Sequence, residues 1–318
     1  MTSETPARPA PPEQIEAVPV RHPGRWIAAA VIAVLAAMFV HMLVTNPVFQ
    51  WDFMVENMFS EPVLRGARTT LIMTVLAMVL GVLLGIVVAV MRLSANPVVS
   101  GAAWAYIWFF RAIPRIVLLF FAANLGTLYA RYEFGFPFDQ QLMDLFGFEG
   151  DWRLFGFDGN EIFVGFTAGL LGLFLSEAAY MAEIVRAGIQ SVDPGQAEAA
   201  SALGMSRAKV MRRIVLPQAM RVIIPPTGNE TIAMLKDTAL LIAVPVTIEL
   251  NFQLRAIGSR TFQVIPMAVA SLLWYLALSS VLMVGQYFLE RRFSRGFGTR
   301  ETRAQRAARR AAEVGSTK

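Results

Sequence analysis

The sequence predicts an all-α membrane protein with six transmembrane helices, on three observations. Of its 318 residues 56% are apolar and 16% charged, whereas a soluble domain carries about one quarter charged residues. Its mean hydropathy is +0.53. Long stretches hold no charge at all, and the remaining charges are sorted by sign between the connecting segments. The chain has no cysteine, which excludes disulfides, thiolate metal sites and cysteine nucleophiles. Its two histidines, His22 and His41, lie far from any acidic cluster in the sequence, so a histidine metal site is excluded too. No cofactor and no nucleic-acid partner is expected.

Residues 1–25 hold six prolines and mixed charges, and such a segment buries too little apolar surface to fold, so it reads as a disordered tail. Ile27 to Val44 carries no charged residue and exceeds the apolar run of a signal peptide, so residues 26–45 read as a retained first span. Thr69 to Met91 is 23 residues without a charge, which at helical rise reaches about 34 Å and covers the hydrocarbon core. Ala112 to Ala130 is the third expected span, despite Pro114 and Arg115 near its start. Ile162 to Ala182 is the fourth, with Glu177 embedded. Val222 to Ile248 carries Pro225, Pro226, Glu230, Lys236 and Asp237. A segment this polar is tolerated at membrane depth only where it is buried in protein or lines a wet cavity. It is counted as the fifth span, broken at Pro225-Pro226-Thr227-Gly228. Val264 to Leu289 is the last.

Charge placement sets the orientation. Segment 131–161 carries Glu133, Asp139, Asp144, Glu149, Asp151, Asp158 and Glu161 against Arg131 and Arg153, and segment 45–62 carries only acids, so both belong outside. Segment 186–221 carries Arg186, Arg207, Lys209, Arg212, Arg213 and Arg221, and the tail 291–318 is densely basic, so both belong inside. Six spans with both termini cytoplasmic satisfy every segment.

Residues 191–220 are punctuated as a helix–turn–helix on the cytoplasmic side. Asp193 is a good N-cap and Pro194 a good first helical residue. Gly204 supplies a left-handed cap. Ser206 starts a second helix through Val215, and Pro217 marks its end or a kink. The first helix shows an alanine face that lets a partner backbone approach. Within this loop Glu198-Ala199-Ala200, Gly204, Ile214, Leu216 and Pro217 resemble the EAA loop of type I ABC importer permeases. The flanks Ala178-Ala179-Tyr180, Ala182-Glu183-Ile184, Arg186, Gln218-Ala219, Pro225-Pro226, Asn229, Lys236-Asp237-Thr238 and Glu249-Leu250 are similar to the polar amino acid uptake branch of that family. The likeness is close from Ser176 to Leu250 and weaker over Arg65 to Phe121. Where that branch often has Arg-Gly-Thr-Pro, this chain has Arg111-Ala112-Ile113-Pro114.

The resemblance implies a type I transmembrane domain over 65–290, with one extra N-terminal span before a five-span core. It also implies a cytoplasmic coupling helix that docks on ABC ATPase subunits. Implied partners are those ATPases, a second permease subunit (identical or homologous), an extracytoplasmic substrate-binding protein, an amino acid and membrane lipid. The implied location is the cytoplasmic (inner) membrane of a bacterium. The chain has no phosphate-cradling Gly-rich loop with Lys and Ser or Thr, so the energy must come from the partner. It is expected to be no enzyme, since neither histidine and no paired aspartates stand where intramembrane catalysis needs them. The alternative within transport is an ion-gradient-driven secondary transporter, but no inverted repeat is visible.

Ionisable residues at membrane depth are costly and usually partnered. Glu177, Glu183, Glu230, Lys236 and Asp237, with Asn229, are the candidates for the substrate pathway. Glu183 and Arg186, three apart on one helix face, are expected to pair with each other. Gly81 and Gly85 form a small-x-x-x-small pair that favours close helix approach.

Overall fold

The computed structural model describes residues 23–135, 138–147, 153–244 and 246–293. The expected disordered tail up to residue 22 and the basic tail beyond residue 293 lie outside them. By internal contacts the chain divides into two units. The first holds α1 (Pro23–Thr45), which buries none of its residues. A helix apolar on every side is a membrane span by composition.

The second unit, Pro47–Arg295, holds the remaining elements. A short 3₁₀ turn leads into α2 (Trp51–Met58) and then α3 (Glu61–Arg92). α4 (Pro97–Ala112) starts with Pro97 in its first turn and Asn96 Oδ1 accepting from the Val98 N–H at 2.9 Å. It is followed by α5 (Arg115–Ala123) and α6 (Leu125–Leu128). Next come β1 (Arg131–Gly135), α7 (Asp139–Phe146), β2 (Arg153–Asp158) and α8 (Gly159–Ile162). Then follow α9 (Gly165–Gln190), α10 (Pro194–Ala202), α11 (Arg207–Val210), a π-helical turn over Met211–Val215, and α12 (Leu216–Asp237). A 3₁₀ turn over Thr238–Ala243 leads to α13 (Leu250–Thr261) and α14 (Val264–Phe293).

Among the described residues α1, α3, α9 and α14 are each long and apolar enough to cross a membrane. α4 and α5 pass the same test only as a pair bent by 101°. This corrects the bounds expected for the third span, Ala112–Ala130, whose interruption at Pro114 is a sharp bend between two helices. The residue before a proline is pushed out of the helical region. Ile113, before Pro114, is extended (φ −95°, ψ 133°), so the chain turns there.

The break expected at Pro225-Pro226 is also corrected, because α12 runs through both prolines. Each proline removes one intrahelical donor, but its fixed φ suits a helix. The Thr227 hydroxyl, donating to the Ile223 carbonyl at 2.7 Å, supports the same turn. The second loop helix is shorter than expected. It is α-helical only to Val210 before the π turn, and the Ser206 side chain makes no capping bond. A missing N–H and a ring that collides with the carbonyl four residues back make Pro217 incompatible with an ordinary α turn through Arg213, and the wider turn lies immediately before it.

The acidic segment 131–161 is not purely a loop. β1 and β2 form an antiparallel hairpin, with Tyr132 opposite Phe157 and Phe134 opposite Phe155. Both ring pairs stack, at 5.3 and 5.0 Å between centroids.

Among the described residues two apolar cores join the long helices, beside a small one within the α10–α11 loop. The larger joins α3, α4, α5, α9 and α12 around Met73, Leu119, Leu173, Met181 and Met234. The smaller joins α2, the start of α3, α13 and α14 around Val63, Leu250, Leu254 and Met267. α3 and α9 approach closely at the two predicted glycines. A Cβ on Gly81 would lie 2.9 Å from the Glu177 Cβ, and one on Gly85 would lie 2.6 Å from the Met181 Cβ.

Candidate functional site

The turn at Ile113–Pro114 delivers Arg115 into the bundle as the first residue of α5. Its guanidinium donates to Glu177 Oε2 of α9 at 2.8 Å and to Asp237 Oδ2 at the end of α12 at 2.5 Å. Glu230 Oε2 stands 3.8 Å from the same group. The Arg115 guanidinium also lies over the Tyr180 ring, 4.9 Å from its centroid, and Arg111 approaches that ring at 5.3 Å. Glu177 is fully buried, and Arg115 retains 12% side-chain exposure.

Glu177 sits 12 residues along the 26-residue α9, about 18 Å from its start, so the cluster lies at mid-helix depth. The acids Glu177, Glu230 and Asp237 outnumber the guanidinium groups of Arg111 and Arg115 by three to two. One Glu177 oxygen, Oε1, is buried without a hydrogen-bond partner, as is the neighbouring Ser176 hydroxyl. Buried polar atoms are ordinarily bonded, so these two mark acceptor capacity that the chain itself leaves unused.

Of the six candidates for the substrate pathway, Glu177, Glu230 and Asp237 meet in this cluster. Glu183 does not. It pairs with Arg186 at 2.5 Å, as its spacing predicts, and Arg186 also donates to Gln190. Asn229 accepts from Gln286 of α14 at 2.9 Å, and Lys236 is exposed outside the cluster. Arg115 and Tyr180 escaped the reading of the sequence as site residues. Arg115 counted only as an interruption of an apolar run, although an arginine at membrane depth demands partners.

The loop over residues 191–220 closes on itself at both ends of α10. Asp193 Oδ1 caps α10 by accepting from the Gly195 N–H at 2.8 Å. At the other end Gly204 has φ +79°, its N–H donates to the Ser201 carbonyl at 2.9 Å, and the Met205 N–H donates to Ala200 at 3.2 Å. This paired closure is the Schellman motif, which requires a residue that tolerates the left-handed region. Ala200, Val210 and Val215 form a core of their own, with Met205 and Ile214 packed on it. Glu198, Ala199, Gly204, Leu216 and Pro217 are exposed. Leu203, beside Gly204, is 85% exposed and was not singled out from the sequence.

Residues 81–295, more than half of the chain, match the family described as binding-protein-dependent transport system inner membrane component. The chain belongs to that family. This permease is 46% identical over 299 residues to the arginine transport system permease protein ArgU of Corynebacterium glutamicum, covering 94% of this chain and 89% of the relative. It is 31% identical over 232 residues to the probable glutamine ABC transporter permease protein GlnM of Bacillus subtilis, covering 73% and 93%. Among solved structures the permease resembles a chain of an amino acid ABC transporter crystallised with histidines. That match has a TM-score of 0.59 and 32% identity, and covers 76% of this chain and 98% of the other. A chain of the MetNI methionine ABC transporter shares the fold, at TM-score 0.52 and 19% identity, covering 74% and 100%.

Proposed function

We propose that this permease imports a cationic amino acid of the arginine type, driven by ATP hydrolysis on cytoplasmic ABC subunits. The observation that carries the substrate class is the surplus of acid around Arg115. The cargo carboxylate pairs with the guanidinium groups, which suit a planar anion. Its ammonium or guanidinium group takes Glu230 and Asp237, the acids of α12 that keep exposure, while the buried Glu177 holds Arg115 in place. The name of the arginine relative supports the same choice.

Six crossings are reached with α1, α3, the bent α4–α5 pair, α9 and α14, and with the polar α12 counted as a crossing buried in protein. Both termini then lie in the cytoplasm. The α10 loop, capped at both ends and packed on its own small core, is the coupling handle. Ala199 and Gly204 give a partner cleft a small-residue face beside the exposed Glu198, Ala200 anchors that face on the loop's own core, Leu203 adds an exposed apolar anchor, and Ile214, Leu216 and Pro217 join the handle to α12. Cargo reaches the outer face on a binding protein, and a second permease subunit completes the pathway. Because α12 runs from this handle to Asp237, a displacement of the loop reaches the cargo cluster along one helix.

The test is uptake of labelled arginine into proteoliposomes holding the assembled complex, with the loaded binding protein on the outer face and ATP on the ATPase side. ATP-dependent accumulation of arginine over glutamate is the expected result. Accumulation that collapses with a proton ionophore at constant ATP would reverse the reading in favour of gradient-driven transport.

A further inference from the structure

A second buried acid lies at the seam between the two cores. Glu249, fully buried, precedes α13 and caps it, its Oε2 accepting from the N–H groups of Asn251 and Phe252 at 2.8 and 3.2 Å. Caps are normally made by short side chains. The longer glutamate reaches further, and its Oε1 accepts from the Thr70 hydroxyl of α3 at 2.8 Å and the Tyr275 hydroxyl of α14 at 2.5 Å. No cation stands among these partners, so four neutral donors offset the burial of the acid. Thr70 itself lies between Ala67 of the smaller core and Met73 of the larger.

The same residues grip the turn that follows the cargo cluster. The Thr238 hydroxyl, next to Asp237, lies 3.4 Å from the Tyr275 hydroxyl. The Asn251 side chain donates to the Ala239 carbonyl at 3.3 Å, and its own oxygen accepts from Ser271 of α14 at 3.2 Å. The start of the 3₁₀ turn is thus hydrogen-bonded to one of the acid's immediate neighbours at Ala239 and in contact with another at Thr238, whose own hydroxyl donates to the Leu235 carbonyl at 2.7 Å, and Asp237, one residue earlier, holds Arg115.

We propose that Glu249 and Tyr275 are positioning residues for the cargo site, holding the Asp237–Ala239 turn in the register at which Asp237 meets Arg115. They touch no cargo. They act through Thr238 and Asn251, and they link the cluster to α3 and α14. This rests on the reading of the Arg115 cluster as the cargo site.

The experiment measures equilibrium binding of labelled arginine to the assembled permease–ATPase complex in lipid nanodiscs without the binding protein. Tyr275→Phe, Asp237→Asn and the double variant are compared, and Glu249→Gln is the harsher substitution of the same tie. Tyr275→Phe keeps the ring and its packing and removes one hydroxyl. It is expected to weaken arginine binding roughly tenfold, the effect of one hydrogen bond to a charged group. In the Asp237→Asn background it should add nothing, because both changes act on one contact. If Tyr275→Phe leaves binding unchanged and lowers only thermal stability, or if the two effects multiply independently, the positioning role is overturned. If Asp237→Asn alone does not weaken binding, the reading of the cluster as cargo site falls, and this proposal falls with it.

Discussion

Arg115 donates to Glu177 Oε2 across 2.8 Å, joining the first residue of α5 to the middle of α9. That contact exists because Pro114 turns the chain by 101° between α4 and α5. A straight helix there would carry the arginine past the bundle. The membrane elbow and the charged cluster are therefore one feature.

Removing Arg115 leaves Arg111 alone against the three acids Glu177, Glu230 and Asp237. Breaking a buried pair from one side costs about 3–5 kcal/mol, so Arg115→Gln should lower the thermal midpoint of the complex and abolish arginine uptake. Pairing it with Glu177→Gln should restore much of the stability without restoring uptake. Thermal unfolding and uptake assays on the single and double variants check both halves.

The α10 loop separates backbone needs from surface needs. A side chain on Gly204 would meet no atom within 4 Å, so only its φ of +79° resists substitution within this chain. Gly204→Val forces a β-branched residue into the left-handed region and should abolish arginine-stimulated ATP hydrolysis with membrane insertion intact. Gly204→Asn, which tolerates that region, should retain most of the stimulation. Leu203→Ser removes an apolar side chain that is 85% exposed. It should leave stability within about 0.5 kcal/mol while lowering stimulated hydrolysis. ATPase rates with and without arginine-loaded binding protein give the answer.

Close packing of α3 on α9 predicts opposite outcomes for two glycines. A Cβ at Gly85 would press on Met181 and the Ala178 carbonyl, whereas one at Gly101 would meet nothing. Gly85→Ala should destabilise by about 1–3 kcal/mol through overpacking. Gly101→Ala, in the interior of α4, should stabilise by up to about 1 kcal/mol through helix propensity. Denaturation midpoints of the two variants compare them directly.

The continuity of α12 makes a further prediction. Alanine at Pro225 and Pro226 restores the donors missing for the carbonyls of Arg221 and Val222. The double variant should be no less stable than the parent and should bind arginine unchanged. A loss of binding would favour a functional break at the prolines over the continuous helix.

Much of this architecture was legible in the sequence for simple reasons. The charge-free run Thr69–Met91 lies within α3, and the capping order Asp193, Pro194, Gly204 gives α10 and its closure, because both signals are local. The elbow was not legible, since apolar content over Ala112–Ala130 reports depth and says nothing of direction. The prolines of α12 signalled a break that neighbouring helices make unnecessary. Three of the six pathway candidates converge, because an acid in a span needs a cation, but which cation depends on packing between residues 62 and 122 positions apart. The alternation of Tyr132, Phe134, Phe155 and Phe157 was present in the sequence, masked by the count of acids around it.

On the proposed function, the cluster around Arg115 receives the cationic amino acid in transit. The most direct measurement is ATP-dependent accumulation of labelled arginine by proteoliposomes carrying the complex with Glu177→Gln, beside the unsubstituted complex at equal assembly. Accumulation should be lost while ATPase and permease subunits remain associated. Accumulation at the unsubstituted rate would contradict the proposed function.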